Sequence, residues 1–347
     1  MSSTATTSAT SAGKVAISGA GATFLAPQMF EWARIYTQTK GVVVEYQSVG
    51  SGAGRDMFFR NVTHFGASDV PLSKELYEKY RGRVLQIPVV IGSIAIVYNI
   101  PEIPENTNLC LSGDVIALIY KGEIKRWDDE RILSDNPSLK NYLLGKEIVA
   151  VHRSDSSGTT GAFTIYLNKV APNIWTKDLV GLTVDWPADK VAKGVGGKGN
   201  EGVTQVVQTT PYSIGYVELN YALLNKLRMA AVKNADGYCV VPNETTIVNA
   251  VKSAFKSGLA FPQTPLDDWS DVPQKLMNAP GRDSYPIVSF SFLLFWREYP
   301  KELAGAIKDF INWLNTEGQG KTIVGYLPIP EEVREINLKA LQIIEGR

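Results

Sequence analysis

The chain has 347 residues, with 35 Lys+Arg against 35 Asp+Glu, 44% hydrophobic residues, 30 Gly, 18 Pro and 2 Cys. That length favours two domains, and the apolar fraction is ample for two cores. A formal net charge of zero leaves no basic excess for a phosphate backbone or an anionic membrane surface, which argues against nucleic acid as a partner. The longest apolar stretches, Pro88 to Ile100 and Tyr285 to Trp296, are broken by Ser or Gly and fall short of the roughly 20 apolar residues a bilayer span needs.

Residues 1–14 hold eight Ser/Thr and no apolar run, and read as a solvated, disordered linker. The last four, Ile344-Glu345-Gly346-Arg347, spell a protease recognition sequence commonly built into recombinant proteins, so residues 344–347 are expected to be a remnant outside the fold. A secretory signal or lipid anchor upstream is expected on the same grounds. Cys110 and Cys239 read as two buried thiols, with one disulfide as the alternative in an exported protein.

In chain order, Val15 to Ser18 is a short strand, and Leu25, Met29, Trp32 and Tyr36 then recur at helical spacing up to Gly41. Val42 to Tyr46 gives a second strand, Ser51 to Gly54 a Gly-rich loop, and Arg55 to Asn61 a helix. Thr63 to Asp69 reads as a third strand ending in a carboxylate. Val84 to Asn99 is long and β-rich enough to run from one domain into another. A helix over Gly113 to Tyr120, a strand over Glu147 to Val151 and a loop over Arg153 to Thr160 follow, then a helix striped by Phe163, Tyr166, Leu167 and Val170. Glycines 194, 196, 197, 199 and 202 mark a mobile segment before a helix from Val203, and Ser213 to Leu219 is a strand. Ser284 to Trp296 is the second long β-rich stretch, and the helix Glu302 to Leu314 closes the pattern.

Strands alternating with helices imply an α/β fold of two domains, each with a mixed, mostly parallel sheet flanked by helices. The two long β-rich stretches predict a two-stranded hinge. Domain I would comprise residues 15–92 and 289–340, with domain II, 93–288, inserted between them.

Three Ser/Gly loops, Ser18 to Thr23, Ser51 to Gly54 and Ser154 to Thr160, each stand between a predicted strand and a predicted helix. A helix start offers unpaired N–H groups and about half a positive charge, Gly lets the backbone approach, and Ser or Thr add hydroxyl donors. A single such loop is usually an N-cap. Three that converge at a domain cleft would hold an anion. Arg153 stands two residues before Asp155, which could fix its guanidinium for bidentate contact with an oxyanion; alone, the pair reads equally as a surface salt bridge. Asp69 alone reads as a cap or turn residue. A carboxylate in an anion site makes sense when the anion carries a proton, as phosphate does and sulfate does not.

Gly19-Ala20-Gly21-Ala22-Thr23-Phe24, Val49-Gly50-Ser51-Gly52, Phe65-Gly66-Ala67-Ser68-Asp69 and Arg153-Ser154-Asp155-Ser156-Ser157-Gly158-Thr159 resemble the phosphate-binding protein family of high-affinity phosphate ABC transporters (PstS). The likeness extends through Lys121 to Asp129, Gly196 to Val203 and Ile214 to Glu218, from Val15 to about Pro328. It implies a periplasmic-binding-protein fold, a Venus flytrap, holding one phosphate between two domains. It also implies contacts from Thr23, the Phe24 N–H, Ser51, Arg153, Ser157, Gly158 and Thr159. Asp69 would be ionised and accept the phosphate proton, and Asp155 would orient Arg153. No metal and no cofactor are implied. The partners would be inorganic phosphate and the permease subunits of a phosphate ABC transporter, the location extracytoplasmic, and the chain a monomer. The sequence departs from the family pattern at Leu25, inside the predicted helix, and at Ser156, where a left-handed backbone would disfavour Ser by roughly 1 kcal/mol.

An enzyme is the rival class. Yet His64 and His152 are the only histidines, and neither a Gly-x-Ser-x-Gly elbow nor a Gly-x-x-x-x-Gly-Lys-Ser/Thr loop is present, so a serine nucleophile has no evident base. A receptor for sulfate or molybdate would differ at Asp69. A purely structural surface protein would leave the three loops unexplained.

Overall fold

The computed structural model describes residues 15–347; the linker expected at residues 1–14 lies outside them. Nine strands form one sheet. Eight of them, from edge to edge, run Val44–Ser48, Ile17–Gly21, Phe65–Ser68, Val288–Trp296, Val84–Asn99, Ser213–Glu218, Val149–Arg153 and Lys193–Gly197, with Arg228–Met229 also paired to Val84–Asn99. The flanks are parallel, as the alternating pattern predicts. The centre is antiparallel, because Val288–Trp296 runs against both Phe65–Ser68 and Val84–Asn99, and Val84–Asn99 runs against Ser213–Glu218.

Val84–Asn99 is the spine. It reads VLQIPVVIGSIAIVYN, apolar nearly throughout, and every residue but Asn99 is buried, as expected of a strand covered on both faces. From Val84 to Ser93 it pairs with Val288–Trp296, and from Ile94 to Asn99 with Ser213–Glu218. Pro88 lies beside a register shift at Ser291/Phe292, a place where a missing backbone N–H is tolerated in a central strand.

Helices Ala26–Lys40, Ser51–Phe59, Gly158–Val170, Gly199–Thr209 and Lys301–Asn315 stand close to their predicted places, with shifted ends. Leu25 is the buried N-cap of the first helix rather than an interior residue. Ser51–Gly54 is not a loop: Gly50, at φ 91°, turns the chain so that Ser51 begins the helix. The Gly-rich segment expected to be mobile takes regular secondary structure. Lys193–Gly197 pairs in parallel with Val149–Arg153, and the next helix starts at Gly199, four residues before Val203.

Cys110 and Cys239 are joined as a disulfide with their Cα atoms 5.9 Å apart, so the reading of two free thiols is corrected. They sit on the two strands that flank Ala231–Lys233 in a small three-stranded sheet, which brings together residues 129 positions apart. Residues 344–347, expected to stand outside the fold, are part of it. Ile344 is buried, Glu345–Gly346 pairs in parallel with Glu298–Tyr299, and the Arg347 N–H donates to the Tyr299 carbonyl at 3.0 Å.

Candidate functional site

Each predicted loop ends a strand of the sheet and leads into a helix. Ile17–Gly21 delivers Thr23 and Phe24, the turn at Gly50 delivers Ser51, Phe65–Ser68 delivers Asp69, and Val149–Arg153 delivers Arg153 and the turn to Gly158. Thr23, Phe24, Ser51, Asp69, Arg153, Ser157, Gly158 and Thr159 are all buried. The start of the helix Gly158–Val170 stands directly against Ser51 and Asp69. A Cβ at Gly158 would overlap Ser51 Oγ and lie 2.7 Å from Asp69 Oδ2, so only glycine fits there. The Gly52 N–H donates to the Ser156 carbonyl at 3.1 Å, tying the same two loops together.

Arg153 is clamped. Nε and Nη2 donate to Asp155 Oδ1 and Oδ2, each at 2.7 Å, the planar fork-to-fork pairing that fixes a guanidinium. The guanidinium is 1% exposed, which excludes the surface salt-bridge reading. Nη1 also donates to Thr159 Oγ1 at 3.3 Å, leaving two of its five N–H donors for other partners. Burial raises the Asp155 carboxyl, but the Arg153 hydrogen bonds and charge outweigh it and the net displacement is downward. The Gly199 N–H donates to Asp155 Oδ1 at 3.1 Å and fixes the clamp from behind.

Asp69 has different surroundings. Ser291 Oγ donates to its Oδ1 at 2.9 Å, Ser51 Oγ approaches Oδ2 at 3.5 Å, and Ser289 Oγ donates to its backbone carbonyl at 3.0 Å. Ser289 and Ser291 are two apart on one strand and share a face. Burial pushes the carboxyl up to about 7, against the pull of Ser291, Arg153, Ser51 and Arg55. Burial therefore works against the ionised Asp69 that the resemblance implies.

Ser157 is an N-cap, its Oγ accepting from the Thr160 N–H at 3.0 Å, and its own proton remains free to donate. Ser156 does not adopt a left-handed backbone, so its departure from the family pattern carries no strain of that kind. Three further residues bond directly to the candidate residues but were not singled out from sequence. Asn200 bonds to Thr23 and Thr159, Ser291 bonds to Asp69, and Tyr216 Oη accepts from the Arg153 N–H at 3.0 Å. Asn200 and Tyr216 lie in the family-like stretches around Gly196 to Val203 and Ile214 to Glu218, a signal that could have found them. No group of three or more His, Cys, Asp or Glu side chains among the described residues has a metal-binding arrangement.

Comparison with known proteins decides the family. A model described as a PBP superfamily domain matches residues 4–317. The phosphate-binding protein PstS of Methanocaldococcus jannaschii is 41% identical over 94% of this chain and 85% of its own length. The PstS of Pasteurella multocida is 39% identical over 91% of this chain and 87% of its own length. The chain belongs to the PstS family of the PBP superfamily. Among solved structures, a phosphate binding protein from Stenotrophomonas maltophilia shares the fold with a TM-score of 0.64 and 20% identity, covering 96% of this chain and 99% of that one. PstS proteins are solute-binding proteins rather than a family of enzymes. Both histidines here have structural partners: His152 Nδ1 lies 2.9 Å from the Arg153 carbonyl and Nε2 lies 2.8 Å from Asp189, while His64 Nδ1 accepts from the Ser18 N–H at 3.1 Å.

Proposed function

We infer that this protein is an extracytoplasmic solute-binding protein that captures inorganic phosphate and delivers it to the permease subunits of a phosphate ABC transporter. The carrying observation is the make-up of this buried cluster. The buried hydroxyls of Thr23, Ser51, Ser157 and Thr159 cluster with one guanidinium that Asp155 fixes and with the Asp69 carboxyl, which burial raises to about 7. Phosphate enters such a site with one shared proton. A protonated Asp69 with dibasic phosphate and an ionised Asp69 with monobasic phosphate hold the same proton count, so the carboxyl and the anion bond in either form. Sulfate brings no proton, and above pH 7 it would set an oxygen against a carboxylate in a water-poor cleft, which costs several kcal/mol.

The contacts to phosphate would come from Thr23, the Phe24 N–H, Ser51, Asp69, Arg153, Ser157, Gly158 and Thr159, with Asp155 orienting Arg153. The lobes would be residues 15–92 with 289–340, and residues 93–288; the change of partner along Val84–Asn99 between Ser93 and Ile94 supports that boundary. The protein would act as a monomer, without cofactor and without catalysis. Mass spectrometry of protein purified without added phosphate should find bound phosphate. In calorimetry at pH 8, phosphate and arsenate should compete while a large excess of sulfate does not; strong displacement of phosphate by sulfate would replace this reading with that of a general oxyanion receptor.

A further inference from the structure

Asn200 is the second residue of the helix Gly199–Thr209, and its side chain is fully buried between the Thr23 and Thr159 hydroxyls and the Glu218 N–H. Its Nδ2 donates to Thr23 Oγ1 at 2.7 Å and to Thr159 Oγ1 at 3.1 Å, and its Oδ1 accepts from the Glu218 N–H at 2.9 Å. A backbone N–H can only donate, so the atom facing Glu218 must be the amide oxygen, which places the amide nitrogen on the threonine side. The Asn200 backbone N–H also donates to Thr23 Oγ1, at 3.0 Å.

A hydroxyl has two lone pairs and one proton. Thr23 Oγ1 receives two donors, both from Asn200. Thr159 Oγ1 receives one from Asn200 and one from Arg153. With both lone pairs engaged, each hydroxyl has only its proton left to offer, and among the described residues neither donates to a protein acceptor.

We propose that Asn200 is a positioning residue that holds the Thr23 and Thr159 hydroxyls, one from each wall, in a donor-only state facing a bound oxyanion. The inference rests on the phosphate reading and deepens it. An amide is suited to the task because it donates two hydrogen bonds without adding charge. Aspartate of the same shape would accept from both hydroxyls and turn their lone pairs toward the anion. Setting the two protons before the ligand arrives removes an ordering cost that would otherwise weaken binding.

The test is a double-mutant cycle read by calorimetry with inorganic phosphate on verified phosphate-free protein, each variant's fold checked by thermal unfolding. Asn200→Ala and Thr23→Val should each weaken binding at least tenfold. Combined, they should weaken it far less than the product of the single losses, because Asn200 acts through the Thr23 hydroxyl; Thr159→Val should behave in the same way. Asn200→Asp keeps the acceptor toward Glu218 but loses the donors. Its affinity should be low at pH 8 and recover relative to Asn200→Ala as the pH falls and the new carboxyl regains a proton to donate. If Asn200→Ala does not fold, the Asn200→Asp titration decides with the wild type as its reference: the gap between the two affinities should narrow as the pH falls. Multiplicative losses, wild-type affinity in Asn200→Ala, or no recovery of Asn200→Asp in acid would overturn this inference while phosphate binding by the wild type stands. No phosphate binding by the wild type would overturn the phosphate reading and this inference with it.

Discussion

Arg153 and Asp69 lie in one buried cluster, both almost fully buried. Arg153 brings its own counter-ion, with Asp155 bonded to two of its nitrogens at 2.7 Å each. Asp69 has no salt-bridge partner among the described residues, and serine hydroxyls are its nearest side-chain donors. The cation is therefore paired before any ligand arrives, and its role is geometric: a rigid pair of remaining donors. The carboxylate is left uncomfortable in its ionised form, and a proton relieves it. On the phosphate reading proposed above, Arg153 would supply fixed attraction, and Asp69 would supply discrimination that depends on who carries the proton.

The sharpest way to break this contrast is Arg153→Ala. Losing a desolvated, hydrogen-bonded charge costs roughly 2–5 kcal/mol of binding, so phosphate affinity in calorimetry should fall by at least tenfold. Wild-type affinity in that variant would remove Arg153 from the site.

The next effect concerns stability without ligand. A carboxyl raised from its ordinary value of 3.8 to about 7 binds its proton more tightly in the folded chain than in the unfolded one. Its stabilising contribution is complete below about pH 4 and is lost as the pH rises through 7, a difference of at most about 4 kcal/mol. Denaturant unfolding of phosphate-free protein should show a decline between pH 5 and 8 that Asp69→Asn removes. Equal pH profiles for wild type and variant would mean that Asp69 ionises freely.

The same proton predicts how selectivity fails. As the pH drops below about 7, a protonated Asp69 can donate to sulfate, so sulfate should compete with phosphate in acid and lose by about tenfold per pH unit above 7. Asp69→Asn should admit sulfate at every pH. A competition ratio unchanged from pH 6 to pH 8 would place the discrimination elsewhere.

The smallest expected effect is Asp155→Asn. It keeps the shape beside Arg153 but removes the charge and one acceptor, so the fork loosens without leaving. Phosphate affinity should fall by roughly threefold to tenfold, the scale of one weakened charge-assisted hydrogen bond. A loss as large as that of Arg153→Ala would make Asp155 a direct contact rather than an orienting one.

The candidate residues that could be proposed from sequence are those beside a local signal: a Gly/Ser run between a strand pattern and a helix pattern, as at Thr23, Ser51 and Ser157. What escaped depends on pairing between distant parts of the chain. Ser291 reaches Asp69 across 222 residues, and nothing in VSFSFLLFW announces that its serines turn toward a carboxylate. The glycines around 194–199 read as mobile because composition does not say that Val149–Arg153 will pair with them. The antiparallel centre of the sheet was hidden for the same reason: the direction of a long strand is set by its neighbours. The raised Asp69 carboxyl required knowing that the fold buries it.

The Cys110–Cys239 bond divides the site by covalent topology. It closes a ring of chain, and Arg153, Asp155, Ser157, Gly158, Thr159 and Asn200 all lie on that ring, whereas Thr23, Ser51 and Asp69 lie on the tail that precedes it. The fixed charge and the proton-sensitive carboxyl are thus held on different covalent objects, a loop and an open strand. A single peptide cut anywhere between residues 111 and 238 would leave one molecule with every group of the cleft still attached, while a cut between Asp69 and Cys110 would separate the discriminating wall from the attracting one, leaving only packing and hydrogen bonds to hold them together.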